Sequence, residues 1–203
     1  MYIPDLYKNE NPKEIEQFLQ ENAFAILINT TNDKPWGTHT PLFFEKVDDK
    51  LILSGHISRE NPQAESLQNE EEVLAIFNGP HTYISSSWYD HENVPTWNYI
   101  AVHVYGKIRL LDYEETILSL KKLVDKFEKK QENPLRVENL SEKTMRQAKG
   151  ILAFEITITE IQAKKKLSQN RDDKNYKSII SHLEKSNDNN DLEIAKEMQK
   201  NRQ

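Results

Sequence analysis

Leu152, Phe154, Ile156 and Ile158 alternate with Ala153, Glu155, Thr157 and Thr159, so every second side chain over residues 152–159 is large and apolar. Only an extended chain gathers such a set on one face, and the pattern predicts a strand buried on one side. Shorter segments join it. Residues 24–29 read as a strand closed by the turn-like Thr31-Asn32-Asp33-Lys34. A second strand is expected over 37–45, and Asp48-Asp49 turns it into a third at 50–56, a β-meander. Residues 73–77 read as a buried strand that Gly79-Pro80 breaks, followed by a short one at 82–85. A longer strand at 100–110 contains Gly106, which permits a bulge or bend.

Helices fall between and after these strands. Asn11-Pro12-Lys13-Glu14 has the form of a helix start, with Asn11 as N-cap, Pro12 in the first turn and Glu14 as the reciprocal cap. Residues 114–130 place Ile117, Leu120, Leu123, Val124 and Phe127 on one helical face. Ser141 opens a further helix ended by Gly150, and two more are expected near 176–183 and 192–198. Many short strands with peripheral helices predict a mainly β barrel rather than a parallel α/β sheet.

The chain of 203 residues suits one ordinary domain with an appended segment, and it has no cysteine. Disulfides, Cys–Zn sites and thiol nucleophiles are therefore excluded. Its 36% hydrophobic and 30% charged content is polar for a compact monomer and suits burial of surface in an oligomer. The net charge of −6 disfavours a broad nucleic-acid groove, although the stretch from Ile161 onward is mildly basic. The absence of a basic-then-apolar leader and of a long apolar run predicts a cytoplasmic protein with no membrane partner. The 5 glycines form neither a G-x-G-x-x-G nor a Walker loop, Ser85-Ser86-Ser87 is not a nucleophile elbow, and His91-Glu92 lacks a second zinc-spaced His. No catalytic or metal-ligating residue is assigned.

Four stretches carry chemistry. The first is Gly55-His56-Ile57-Ser58-Arg59-Glu60-Asn61-Pro62, a strand entering a polar loop and a helix start. Free backbone N–H groups there, with Ser58 and Arg59, could hold a phosphate monoester; a plain capped helix with an exposed Arg is the competing reading. The second and third run from Phe77 to Tyr89 and from Val94 to Gly106 and concentrate Trp, Tyr and His. Such side chains suit a planar heterocycle, a dimer interface or a core equally. The fourth is Lys164-Lys165-Lys166-Leu167-Ser168-Gln169-Asn170-Arg171, placed directly after the last strand, which suits either an anionic ligand or solvated surface.

Taken together, these stretches resemble the PaiB family of FMN-binding negative transcriptional regulators. The resemblance runs from Met1-Tyr2-Ile3-Pro4 through Thr38-His39-Thr40-Pro41-Leu42, Gly55–Gln63, Gly79-Pro80-His81-Thr82-Tyr83-Ile84-Ser85, Val94-Pro95-Thr96-Trp97-Asn98-Tyr99 and Lys166-Leu167-Ser168-Gln169-Asn170. It implies a mainly β fold, an FMN-binding split β-barrel with peripheral α-helices, that forms a homodimer with flavin at the subunit interface. Residues 1–165 would form the barrel with inserted helices, and 166–203 a ligand-covering segment and helical tail. Ser58 and Arg59 would face the phosphate, with Asn61 at the helix start and His56 nearby. His39 and Thr40 would lie along the cofactor wall. Trp97, Lys166, Ser168 and Gln169 would close over the ring or come from the partner subunit. The family role implies repression of degradative-enzyme and sporulation genes, with DNA or a protein as further partner. An FMN-dependent oxidoreductase of an unidentified small molecule, or a flavin-free dimeric binding module, is the alternative. Ala64, Ser86 and Glu60 depart from the family pattern, Glu60 by setting a carboxylate beside the phosphate-facing residues.

Overall fold

The computed structural model of the chain describes residues 1–202. Strand β1 (Phe24–Thr31) pairs antiparallel with β2 (Lys34–Pro41), Thr31 lying opposite Lys34. Asn32 and Asp33 both take left-handed backbone, φ 50° and 59°, as a two-residue hairpin turn requires. The single strand expected over 37–45 is two. The chain turns at Leu42, whose N–H donates to the Ala23 carbonyl at 2.8 Å and whose side chain is fully buried, before β3 (Phe43–Val47) begins. β3 then pairs with β4 (Lys50–Ser58).

Two further expectations are corrected. Gly79-Pro80 does not break a strand, because β5 runs from Glu72 to Ile84 through both. β1 pairs with β5 only at Leu74, Ala75 and Ile76, so Pro80 lies past the partner that would need its missing N–H. A Cβ on Gly79 would sit 2.6 Å from the Phe18 ring, which explains the glycine. β6 (Thr96–Leu110) and β7 (Ile151–Lys166) are also long, and β7 contains all three consecutive lysines, which were expected to follow the last strand.

The strands form one seven-stranded sheet in the order β2-β1-β5-β6-β7-β4-β3. Backbone contacts divide the chain into two compact units. The first comprises Leu19–Phe77 and His103–Ile161. Within it the end strand β2 meets β4, the strand next to the other end: the Thr40 hydroxyl donates to the His56 carbonyl at 2.7 Å. Gly55 makes that approach possible, since a Cβ there would meet Leu42 Cδ2 at 2.6 Å and the Pro41 carbonyl at 3.1 Å. The seam turns a sheet into a barrel. Leu27, Phe44, Leu53, Phe77, Val104, Ile108, Phe154 and Ile156 fill the inside. Gly106 introduces no break in β6; it leaves room for the Thr157 carbonyl, which a Cβ would meet at 2.5 Å.

Three helices complete this unit. Helix α2 (Gln63–Ser66) follows β4. Helix α3 (Tyr113–Glu128) opens with a full capping box between Asp112 and Glu115. Helix α4 (Glu142–Met145) is capped by the Ser141 hydroxyl and continues as a 3-10 turn to Gly150.

The second unit comprises Met1–Phe18, Asn78–Val102 and the chain from Gln162. Helix α1 (Pro12–Glu21) is capped by Asn11, whose Oδ1 accepts from Lys13 N–H at 3.1 Å. Glu14 does not return the bond to the Asn11 backbone as expected; it accepts from the Asn11 side-chain amide at 3.1 Å, because the Asn9 side chain already takes the Asn11 N–H. Helices α5 (Asp173–Leu183) and α6 (Asn189–Lys200) pack together, and Tyr176, Ile179, Leu183, Ile194 and Met198 bury against Ile84, Ile100 and Leu167. Among the described residues no helix is long and apolar enough to cross a membrane.

Candidate cofactor site

β4 leaves the barrel at Ser58, and the chain to Ser66 folds into tight turns that consume its own backbone donors. Arg59 N–H donates to the Gly150 carbonyl at 2.9 Å, and Glu60 N–H to the Ser58 hydroxyl oxygen at 3.2 Å. Asn61 N–H donates to the Ser58 carbonyl, Gln63 N–H to Asn61 Oδ1 at 3.0 Å, and Ala64 N–H to the Asn61 carbonyl at 2.8 Å. The free N–H groups expected at this helix start are therefore taken, and α2, at four residues, adds none. What stays open is side chain. Ser58 and Arg59 are exposed, and among the described residues the Ser58 O–H donates to nothing and the Arg59 guanidinium has no hydrogen bond or ion pair. Glu60, one residue away, does not pair with it either.

Asn61 points inward instead. Its amide donates to the Thr38 hydroxyl on β2 at 2.8 Å, which ties the loop to the barrel wall. His56 is half-buried, and burial lowers its pKa from 6.5. His39 and Thr40 do not share a wall, because neighbours in a strand face opposite sides. Thr40 is buried at the seam; His39 is exposed and stacks on Phe24 with ring centroids 5.9 Å apart. The structure thus brings Thr38, Thr40, His56, Ser58, Arg59 and Asn61 to one end of the β2–β4 seam and leaves His39 on the other face.

Gln63 and Thr38 escaped assignment from sequence. Gln63 is fully buried and donates to the Leu27 carbonyl at 3.2 Å and to Asn29 Oδ1 at 3.0 Å, anchoring α2 on β1. Ser66 extends the anchor by its 2.7 Å contact with the Thr31 hydroxyl. A glutamine in a short polar helix gives no sign of burial until its partners on β1 are known.

In the second unit the expected ring-covering residues are mostly engaged. Gln169 donates to the Lys165 carbonyl at 2.6 Å and accepts from Leu167 N–H at 2.8 Å, so it staples its own turn. Ser168, 3% exposed with φ 60°, donates to Asn98 Oδ1 at 3.0 Å. Lys166 Nζ donates to the Thr96 hydroxyl and to the Trp97 carbonyl, the latter at 2.8 Å. Trp97 itself is 52% exposed, with Tyr83 edge-on to its ring and His81 tilted against it. Ser85 turns its hydroxyl to Ser87 N–H and caps a 3-10 turn.

A groove of about 440 Å³ beside α3 is lined by Ser54, Arg109, Glu115, Leu118, Lys122 and Glu155. Its charges satisfy one another: Arg109 bridges Glu115 and Glu155 at 2.7 Å each, and Lys122 pairs with Glu45. It is a solvated ion-pair network and offers no open charge to a ligand.

The closed antiparallel barrel is the fold of the flavin-binding split barrels. Solved structures share it: the FAD and heme binding protein of Mycobacterium smegmatis (TM-score 0.59, 16% identity, 79% of this chain and 73% of that one) and the flavocytochrome Anf3 of Azotobacter vinelandii (TM-score 0.59, 18% identity, 84% and 75%). A family model described as "Putative FMN-binding domain" matches residues 1–160. The "Protease synthase and sporulation protein PAI 2" of Bacillus subtilis is 44% identical over 200 residues, 98% of this chain and 97% of that one. An uncharacterised protein of Emericella nidulans is 28% identical over 91% of this chain and 90% of its own. The chain belongs to the PaiB family of FMN-binding-domain proteins.

Proposed function

We propose that this protein binds FMN through the Ser58–Asn61 loop and acts as a flavin-dependent negative regulator of degradative-enzyme and sporulation genes. The observation that carries the flavin reading is the Arg59 guanidinium, exposed and, among the described residues, without a partner, beside a Ser58 hydroxyl whose proton is likewise free. A phosphate monoester takes charge-assisted hydrogen bonds from such a pair. FMN, when bound, supplies one- and two-electron transfer. The chain's own part is to hold the phosphate at Arg59 and Ser58 and to fix that loop through Asn61, Thr38 and Gln63.

The homodimer of the family reading brings a second copy's aromatic surface to the flavin, and the half-exposed Trp97 has the flat face for that contact. The regulatory reading is supported by the name of the Bacillus subtilis relative. Titrating the purified protein with FMN and with riboflavin, followed by light-scattering mass and gel shifts on promoters of such genes, tests each step in turn. Retention of FMN but not riboflavin supports the phosphate site, and equal retention of both overturns it. A promoter shift that depends on FMN supports direct regulation; rapid FMN turnover by a nicotinamide without any shift points to an oxidoreductase.

A further inference from the structure

Of the 16 residues of α3, Thr116 alone is buried. Ile117, Leu120, Leu123 and Val124 are partly exposed, and Leu118 and Phe127 stand 61% and 49% open. Helix α5, by contrast, buries Tyr176, Ile179 and Leu183 within 11 residues. Near the far end of α3, Lys126 Nζ is buried with no hydrogen-bond partner. It lies 5.4 Å from the centre of the Phe43 ring on β3 and 5.7 Å from that of Phe127. Aromatic faces compensate a buried ammonium only in part, and burial lowers the Lys126 pKa. Ion pairs supply what packing does not. Lys122 Nζ donates to both carboxylate oxygens of Glu45 on β3, at 2.7 and 2.9 Å. Arg109 Nη1 on β6 donates to Glu115 at 2.7 Å, while Nη2 of the same side chain donates to Glu155 on β7. The groove of about 440 Å³ separates two walls, with Ser54, Arg109 and Glu155 on the strand side and Leu118, Ser119 and Lys122 on the helix side.

Local opening is easiest where few apolar groups are buried, and exposed ion pairs weaken as salt screens them. Both conditions meet at α3, where the Lys122 and Arg109 side chains are 46% and 48% exposed. We propose that α3 is a lid over this groove, latched to the barrel by Lys122–Glu45 and Arg109–Glu115 and released as ionic strength rises. Lifting it parts both pairs, returns the Lys126 ammonium to water, frees Arg109 Nη1 and opens the buried Ser54 on β4 to solvent. Arg109 stays tethered to Glu155, so the strand side of the groove keeps its shape while the helix side moves. Lys121–Glu138 and Arg136–Asp125 join α3 to the segment that follows and do not tie it to a strand. A cleft of this volume falls within the range of small-molecule sites, about 300–1,000 Å³.

Hydrogen exchange of the full-length protein at neutral pH, in about 0.02 M and about 1 M sodium chloride, tests the latch. Amides of 116–128 should exchange about three- to tenfold faster in high salt, and those of 152–158 at an unchanged rate. Lys122→Met should reach the high-salt rate in low salt. Combining Lys122→Glu with Glu45→Lys should restore protection, which a helix merely damaged by substitution would not show. The chain has no cysteine, so Ser54→Cys places a single thiol on the groove floor. Its alkylation should accelerate with salt by the same factor as exchange in α3. Salt-independent exchange of α3 would overturn the proposal, as would equal acceleration of 116–128 and 152–158, the mark of global unfolding. A charge-exchanged pair without protection, or a thiol whose reactivity does not follow α3, would overturn it too. None of these readouts involves the flavin, so they stand apart from the FMN-against-riboflavin comparison.

Discussion

The side-chain amide of Asn61 donates to the hydroxyl of Thr38 at 2.8 Å, joining the loop after β4 to a strand that precedes it by 23 positions. Asn61 Oδ1 meanwhile accepts from Gln63 N–H, so one side chain fixes both the loop and the start of α2. Asn61→Ala and Thr38→Val should each cost about 1 kcal/mol in stability and weaken FMN binding by roughly tenfold through a looser Arg59. Urea unfolding and flavin-fluorescence titration measure the two effects. The double variant should be little worse than either single one; full additivity would mean the bond does not couple loop and barrel.

Among the described residues Arg59 is the free cation of that loop. Replacing it by Ala should raise the Kd for FMN by about ten- to a hundredfold, the worth of a charged hydrogen bond, and leave riboflavin binding unchanged. Equal losses for both ligands would place Arg59 against the ring or give it a purely structural role.

Gly106 and Gly150 make opposite predictions from the same substitution. Alanine at 106 would press its Cβ on the Thr157 carbonyl at 2.5 Å and should destabilise by about 1–3 kcal/mol. Alanine at 150 meets nothing within 4 Å and should be neutral or stabilising by up to about 1 kcal/mol. Denaturant midpoints of the two variants decide it, and similar losses at both sites would refute the packing argument.

Burial lowers the pKa of His56 and of His103 below 6.5. The unfolded chain therefore takes up these protons first. Their contribution to stability is complete above pH 6.5 and is lost as pH falls through the folded values. Stability should decline from pH 7 toward pH 5, and His56→Gln should flatten that slope in urea titrations taken at several pH values. An unchanged slope would show that His56 is not protected from protonation in the folded state.

Strands with a local signature were legible in the chain itself. The alternation at 152–159, the Asn32-Asp33 turn and the span of α3 each depend on neighbours within a few residues, and each lies where the pattern put it. The Ser58-Arg59 motif was legible for the same reason. Its backbone donors were misjudged because one of their acceptors is Gly150, some ninety residues away. Gly79-Pro80 looked like a break because local rules cannot see that β1 stops short of it.

The sequence by itself determined the β-rich pattern, the family and the residue types available to an anion, since these follow from side-chain chemistry and short-range periodicity. Tertiary structure decided which of those residues remain free. Gln169, Ser168 and Asn61 are spent on internal hydrogen bonds, while among the described residues Arg59 keeps its charge open. A polar group's availability depends on partners brought to it by the folded chain, and strand pairing over long separations is what brings them.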